Sequence, residues 1–153
     1  MTMQTSPSNL HAHLGYWLRA VSNAVSQSFA RAVEAEGVTV AEWVFLRVLH
    51  DEDGIAPSLL AERMAMTKGA ISKLADRLAE KDLIVRDASP DSRRGQTLTL
   101  TPAARTLVPR LAELADRNDA LFFGSLSADE RGTLRHLLMK LAAERGLAGV
   151  PTD

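Results

Sequence analysis

Cysteine is absent from all 153 residues. That excludes disulfides, thiolate metal sites and any switch that works by thiol oxidation. It fits a reducing compartment, and the cytoplasm is the expected location. Aromatic residues are scarce at 5%, so Trp17 and Trp43 stand out. Neither sign of charge dominates: 18 Lys plus Arg face 19 Asp plus Glu, for a formal net charge of -1. A uniformly basic surface is thereby excluded, and any polyanion site must be built from locally placed cations. Long apolar runs are missing too, because charge interrupts every apolar segment within a few residues. No membrane span and no membrane partner are expected. Met1 to Leu10 is polar with no basic start, so a signal peptide is not expected.

Catalytic signatures are equally lacking. There is no phosphate loop and no nucleophile motif. His11 and His13 are too close along a helix to face the same way. His50 has Asp51 and Asp53 beside it, but this short loop has no distinctive ligand spacing. No enzymatic activity, metal or cofactor is expected.

What is present is helical periodicity around one change of period. Leu10, Leu14, Trp17, Val21, Val25, Phe29 and Val33 recur at three- and four-residue spacing. They predict a long first helix from about Asn9, capped by Ser8, to about Glu36, with Gly37 as its stop. Thr39-Val40-Ala41-Glu42 has the form of a capping box, and a second helix carrying Trp43, Leu46 and Leu49 follows to about His50. Asp53-Gly54 is a turn signal, and Ile55 suits a very short strand. Pro57 to Met64 reads as a short third helix. After a break at Ala65-Met66, Thr67 caps a fourth helix whose buried face is Ile71, Leu74, Ala75 and Leu78.

The period then shortens. Leu83 to Arg86 and Gln96 to Leu100 read as strands around a polar loop from Asp87 to Gly95, which makes a wing-like hairpin. Thr101-Pro102 opens a fifth helix, bent by Pro109 and closed by Gly124. Ser127-Ala128-Asp129-Glu130 is a second capping box, and Leu134, Leu137, Leu138 and Leu141 form the face of a last helix. The fold class is therefore mainly α with a small β-wing: a winged helix-turn-helix with an α-helical dimerisation region, in one domain spanning 1–153. Residues 8–36 and 102–146 hold the dimerisation helices, and residues 56–100 hold the winged unit. The long first, fifth and last helices carry more apolar surface than a compact middle section can cover. A second copy of the chain is the simplest cover, so a homodimer is expected.

The winged unit points to duplex DNA. The second helix of such a motif enters the major groove with its N-terminal part toward the bases. Here that part reads Thr67-Lys68-Gly69-Ala70, then Ser72-Lys73. Short side chains let the backbone approach the groove floor, while lysine and serine reach base edges or phosphates. Thr67 is a candidate phosphate contact beside free backbone N–H groups, and Arg77, one turn beyond Lys73, suits a phosphate. In the wing, Asp91-Ser92-Arg93-Arg94-Gly95 places two arginines at a hairpin loop. Arg94 is the candidate for the minor groove; Arg93 either pairs with Asp91 or touches phosphate. From Ala56 to Leu100 eight basic residues face six acidic ones, so this unit is +2 and the remainder -3.

The combination resembles the MarR family of bacterial regulators over about Leu10 to Arg145. The resemblance is strongest in Leu60-Ala61-Glu62-Arg63-Met64, Leu74-Ala75-Asp76-Arg77-Leu78, Leu83-Ile84-Val85-Arg86, Asp91-Ser92-Arg93-Arg94 and Leu98-Thr99-Leu100-Thr101. Asp82 departs from the glycine common before the first wing strand, but aspartate tolerates a left-handed backbone better than most residues. The resemblance implies a homodimeric repressor that binds pseudo-palindromic operators and releases them when a small aromatic or phenolic effector binds. It assigns recognition to Lys68, Gly69, Ala70, Ser72 and Lys73, and a wing role to Arg94. It also makes Tyr16, Trp17, Trp43, Leu46 and Arg110 candidate effector contacts, with Arg110 able to neutralise a carboxylate. The same tryptophans serve equally as core anchors, with Arg110 on the surface. A different function class, a dimeric winged-helix adaptor that binds protein, explains the neutral charge. It leaves the paired lysines, small residues and two-arginine wing without a purpose.

Overall fold

The computed structural model describes residues 5–88 and 95–147. A 3-10 turn at Leu10–Ala12 precedes helix α1, Leu14–Glu34. This corrects the expectation of one unbroken helix from Asn9. Asn9, not Ser8, is the cap, its Oδ1 accepting the His11 N–H at 3.0 Å. His13 then stays extended, with φ -86° and ψ 125°, and separates the turn from α1. A repeat of apolar residues does not register such a backbone break. At the other end Gly37 takes φ +89°, which a side chain would disfavour. That turn lets the Val38 N–H return to the Val33 carbonyl at 3.2 Å.

The middle of the chain follows its local signals closely. Both bonds of the Thr39–Glu42 capping box form, at 3.1 and 2.9 Å, and open α2, Val40–Asp51. Ile55 makes an isolated antiparallel bridge to Leu98. Helix α3 spans Pro57–Met64, with proline in its first turn, and α4 spans Lys68–Glu80. Strand β1 is Ile84–Ala88, one residue later at its start and two longer at its end than expected. Its limits come from pairing with β2, Gln96–Leu100, in the antiparallel register Ile84↔Leu100 to Ala88↔Gln96. Asp82, between α4 and β1, takes φ +58°. Thr101 caps α5, Pro102–Phe123, which runs through Pro109. A Cβ at Gly124 would collide with the Ala120 carbonyl oxygen, so α5 closes on a residue without one. The Ser127–Glu130 box, also complete, opens α6, Ala128–Glu144.

The core gathers around α2. Phe45, Leu46 and Leu49 are fully buried, together with Leu60 of α3, Ile71 and Leu78 of α4, and Leu111 of α5. Burying each such side chain contributes about 1.5–3 kcal/mol, so α2 is what fixes the winged unit to α5. The periphery differs. Leu14 on α1 is 87% exposed, Leu121 on α5 73%, and Met139 on α6 64%, and α6 has no buried residue. One copy of the chain leaves these faces uncovered.

Candidate nucleic-acid interface

Helices α3 and α4 meet at a tight corner. Ala65 ends α3 in a left-handed conformation, φ 50°, and the Met66 N–H returns to the Ala61 carbonyl at 2.9 Å. Thr67 starts α4, its Oγ1 accepting the Ala70 N–H at 3.1 Å. That leaves the hydroxyl hydrogen as a donor. Ile71, Leu74, Ala75 and Leu78 are buried and anchor one face of α4. On the other sides Thr67, Lys68, Gly69, Ser72, Lys73 and Arg77 are exposed, while Ala70 is half-buried. Among the described residues no carboxylate forms an ion pair with Lys68, Lys73 or Arg77.

Gly69 has no internal explanation. It lies in the first turn of α4, and a Cβ added there would meet nothing within 4 Å. A helical glycine costs about 0.8–1 kcal/mol relative to alanine, and here neither packing nor a left-handed backbone demands it. Arg93 and Arg94 lie outside the described residues. The β1–β2 ladder that carries their loop extends to the Ala88↔Gln96 pair, followed inward by Gly95 at φ +70°.

Three polar links escaped the sequence reading. Arg86 of β1 reaches α4, with Nη2 2.6 Å from Asp76 Oδ1 and 3.2 Å from the Ser72 carbonyl oxygen. Lys81, just past α4, places Nζ 2.9 Å from Glu42 Oε1 and 2.8 Å from the Gly37 carbonyl. Glu42 is fully buried and its Oε2 has no partner. Burial pushes its carboxyl up, but Lys81 and the Thr39 amide and hydroxyl together draw it below the ordinary value of 4.5. Asp53 ties the α2–α3 loop to α5 and to β2, pairing with Arg105 and accepting the Leu100 N–H. Residues so far apart in sequence leave no periodic signal.

The effector candidates fall into separate places within one chain. Trp17 is 51% exposed, donates its indole N–H to the His11 carbonyl at 2.7 Å, and stands edge-on to Tyr16. Trp43 instead packs edge-on against Phe29, ring centres 6.3 Å apart. Phe29 lies twelve residues along α1 from Trp17, about 18 Å at helical rise. Leu46 is fully buried in the core, and Arg110 pairs with Glu36 at 2.8 Å. A cavity of about 560 Å³ lies between the end of α5 and α6, beside Phe123, Leu134, Leu138, Arg131 and Arg135, and none of the five candidates lines it. Among the described residues no group of three or more His, Asp or Glu is placed to hold a metal ion, and no helix is long and apolar enough to cross a membrane.

Known proteins resemble this chain in sequence and in architecture. The MarR family profile matches residues 36–95. A proposed transcriptional regulatory protein for the hcr operon of Thauera aromatica is 37% identical over 134 residues, 87% of this chain and 81% of that protein. The crystal structure of a proposed transcriptional regulator from Pseudomonas aeruginosa superposes with a TM-score of 0.74 at 28% identity, covering 87% of this chain and 99% of that one. BpsR of Bordetella bronchiseptica, whose DNA binding is regulated by 6-hydroxynicotinic acid, gives a TM-score of 0.75 at 25% identity over 90% of this chain and 98% of its own. The chain belongs to the MarR family of DNA-binding transcriptional regulators.

Proposed function

We propose that this protein is a cytoplasmic homodimer that represses transcription from pseudo-palindromic operators and leaves them when a small aromatic or phenolic ligand binds. The observation that carries the DNA part is the exposed start of α4. Lys68, Gly69, Ser72 and Lys73 stand free of the core there, and the missing side chain at Gly69 leaves room for an external surface to come close to the backbone. Lys68 and Lys73 supply donors for base edges, Thr67 and Arg77 for phosphates, and Arg94, in the loop between β1 and β2, for the minor groove. The uncovered faces of α1, α5 and α6 support the dimer.

The ligand part rests on likeness to BpsR, whose regulator is an aromatic acid. Tyr16, Trp17, Trp43, Leu46 and Arg110 are the candidates to meet it, and a ligand carboxylate competes with Glu36 for Arg110. With no cysteine present, release is non-covalent. The test is selection by the purified protein from a pool of genomic duplexes at fixed salt. Recovery of a pseudo-palindrome is expected. Recovery of no sequence above the input overturns the operator reading and favours a protein-binding adaptor.

A further inference from the structure

The exposed face of α4 contains an acid where a DNA-binding helix wants none. Asp76 lies three residues after Lys73 and seven after Gly69, so helical geometry places all three on one side, away from buried Ile71, Leu74 and Leu78. Its side chain is 63% exposed. A bare carboxylate there does two kinds of harm. It repels phosphate, and it is a natural i,i+3 partner for the Lys73 ammonium, which would turn that donor away from the bases.

Arg86 deals with both. Its guanidinium sits 2.6 Å from Asp76 Oδ1 and also donates to the Ser72 carbonyl oxygen at 3.2 Å. That oxygen already accepts within the helix and uses its second lone pair for Arg86. Arg86 is only 29% exposed and comes from β1, the strand that leads into the wing. One planar side chain thus joins wing to recognition helix at two points a turn apart.

We infer that Arg86 is a positioning residue for DNA reading: it sequesters Asp76 so that Lys73 stays free. The inference rests on the operator reading above. A contact through Asp76 differs in a measurable way from a contact of Arg86 with DNA, because removing the acid then makes the arginine dispensable.

The experiment compares the parent, Arg86→Met, Asp76→Asn and the double variant on the selected duplex, on its single-base variants and on unrelated duplex, across a series of salt concentrations. Circular dichroism and light scattering check fold and mass. Arg86→Met is expected to weaken operator binding about tenfold and to narrow discrimination against single-base variants. Asp76→Asn alone should bind within about threefold of the parent, and the double variant should return to that range. The salt dependence of the double variant should equal the parent's, since a lost phosphate contact would flatten the slope by roughly one. Should Arg86→Met not fold, Arg86→Gln repeats the series, keeping a donor for the Ser72 carbonyl without the charge. A double variant as weak as Arg86→Met, with a flatter salt slope, means that Arg86 itself touches DNA and overturns the inference. So does an Arg86 variant that binds and discriminates like the parent. If the parent selects no duplex, the operator reading fails first, and that outcome is distinct from either of the others.

Discussion

Gly69 lowers the stability of α4 without any internal return, since a Cβ there would meet nothing. Gly69→Ala is therefore expected to raise the thermal midpoint, by up to about 1 kcal/mol of stability, and at the same time to weaken operator binding. Paired melting and affinity measurements check this; a variant that is stabler and binds as well would show that close backbone approach plays no part. Lys73 and Arg94 should fail differently. Lys73→Ala should remove about 1–3 kcal/mol of discrimination between the operator and single-base variants. Arg94→Ala should lower affinity across all duplexes, most at A·T-rich flanks. Titration of both variants against the same duplex set separates the two patterns, and equal loss on every duplex for Lys73→Ala would remove it from base reading.

The elements are held by one link whose strength depends on pH. Glu42 of α2 is fully buried against Lys81, which follows α4 and is 39% exposed. Lys81→Met leaves that carboxylate without its cation and should destabilise the fold by up to about 3 kcal/mol, less where solvent screens the exposed ammonium. The Glu42 carboxyl is held below its ordinary value of 4.5. Its contribution is therefore complete above that value and is lost as pH falls through the lowered one. In Lys81→Met, burial is opposed only by the Thr39 hydrogen bonds, so protonation relieves the variant, and its deficit against the parent should shrink on acidification. Chemical denaturation at about pH 7 and about pH 4 measures both gaps, and a constant gap would contradict this role for the pair. Local devices such as the Thr39 and Ser127 boxes, the Thr67 cap and the extent of α3 were legible in sequence because their partners lie within four residues. The Lys81–Glu42 and Arg86–Asp76 links were not, because chain topology brings them together. The break at His13 was hidden for another reason: the Asn9 cap and the Trp17 bond to the His11 carbonyl organise that corner, and neither alters the apolar spacing. The exposed face of α4 was legible, but the acid on it had no visible partner.

At the scale of the whole molecule, the exposed apolar residues are the surface that a second copy is expected to cover. Leu137 and Leu141 sit one turn apart on α6, 50% and 54% exposed, and patches of that kind are what subunits bury. Light scattering should give about twice the 16.6 kDa chain mass. The double substitution Leu137→Glu with Leu141→Glu should yield folded monomers with much weaker operator binding; a variant that stays dimeric would move the interface elsewhere. A two-fold dimer that reads DNA through paired α4 helices also constrains its operator. The half-sites must lie on one face of the duplex, about one helical turn or a multiple apart. The most direct measurement is the affinity of the parent for its selected operator and for the same operator with about five base pairs inserted at the centre, half a turn of duplex. Binding to the insertion duplex is predicted to fall toward that of unrelated DNA. Equal affinity for the two would contradict the account that one homodimer reads both half-sites together.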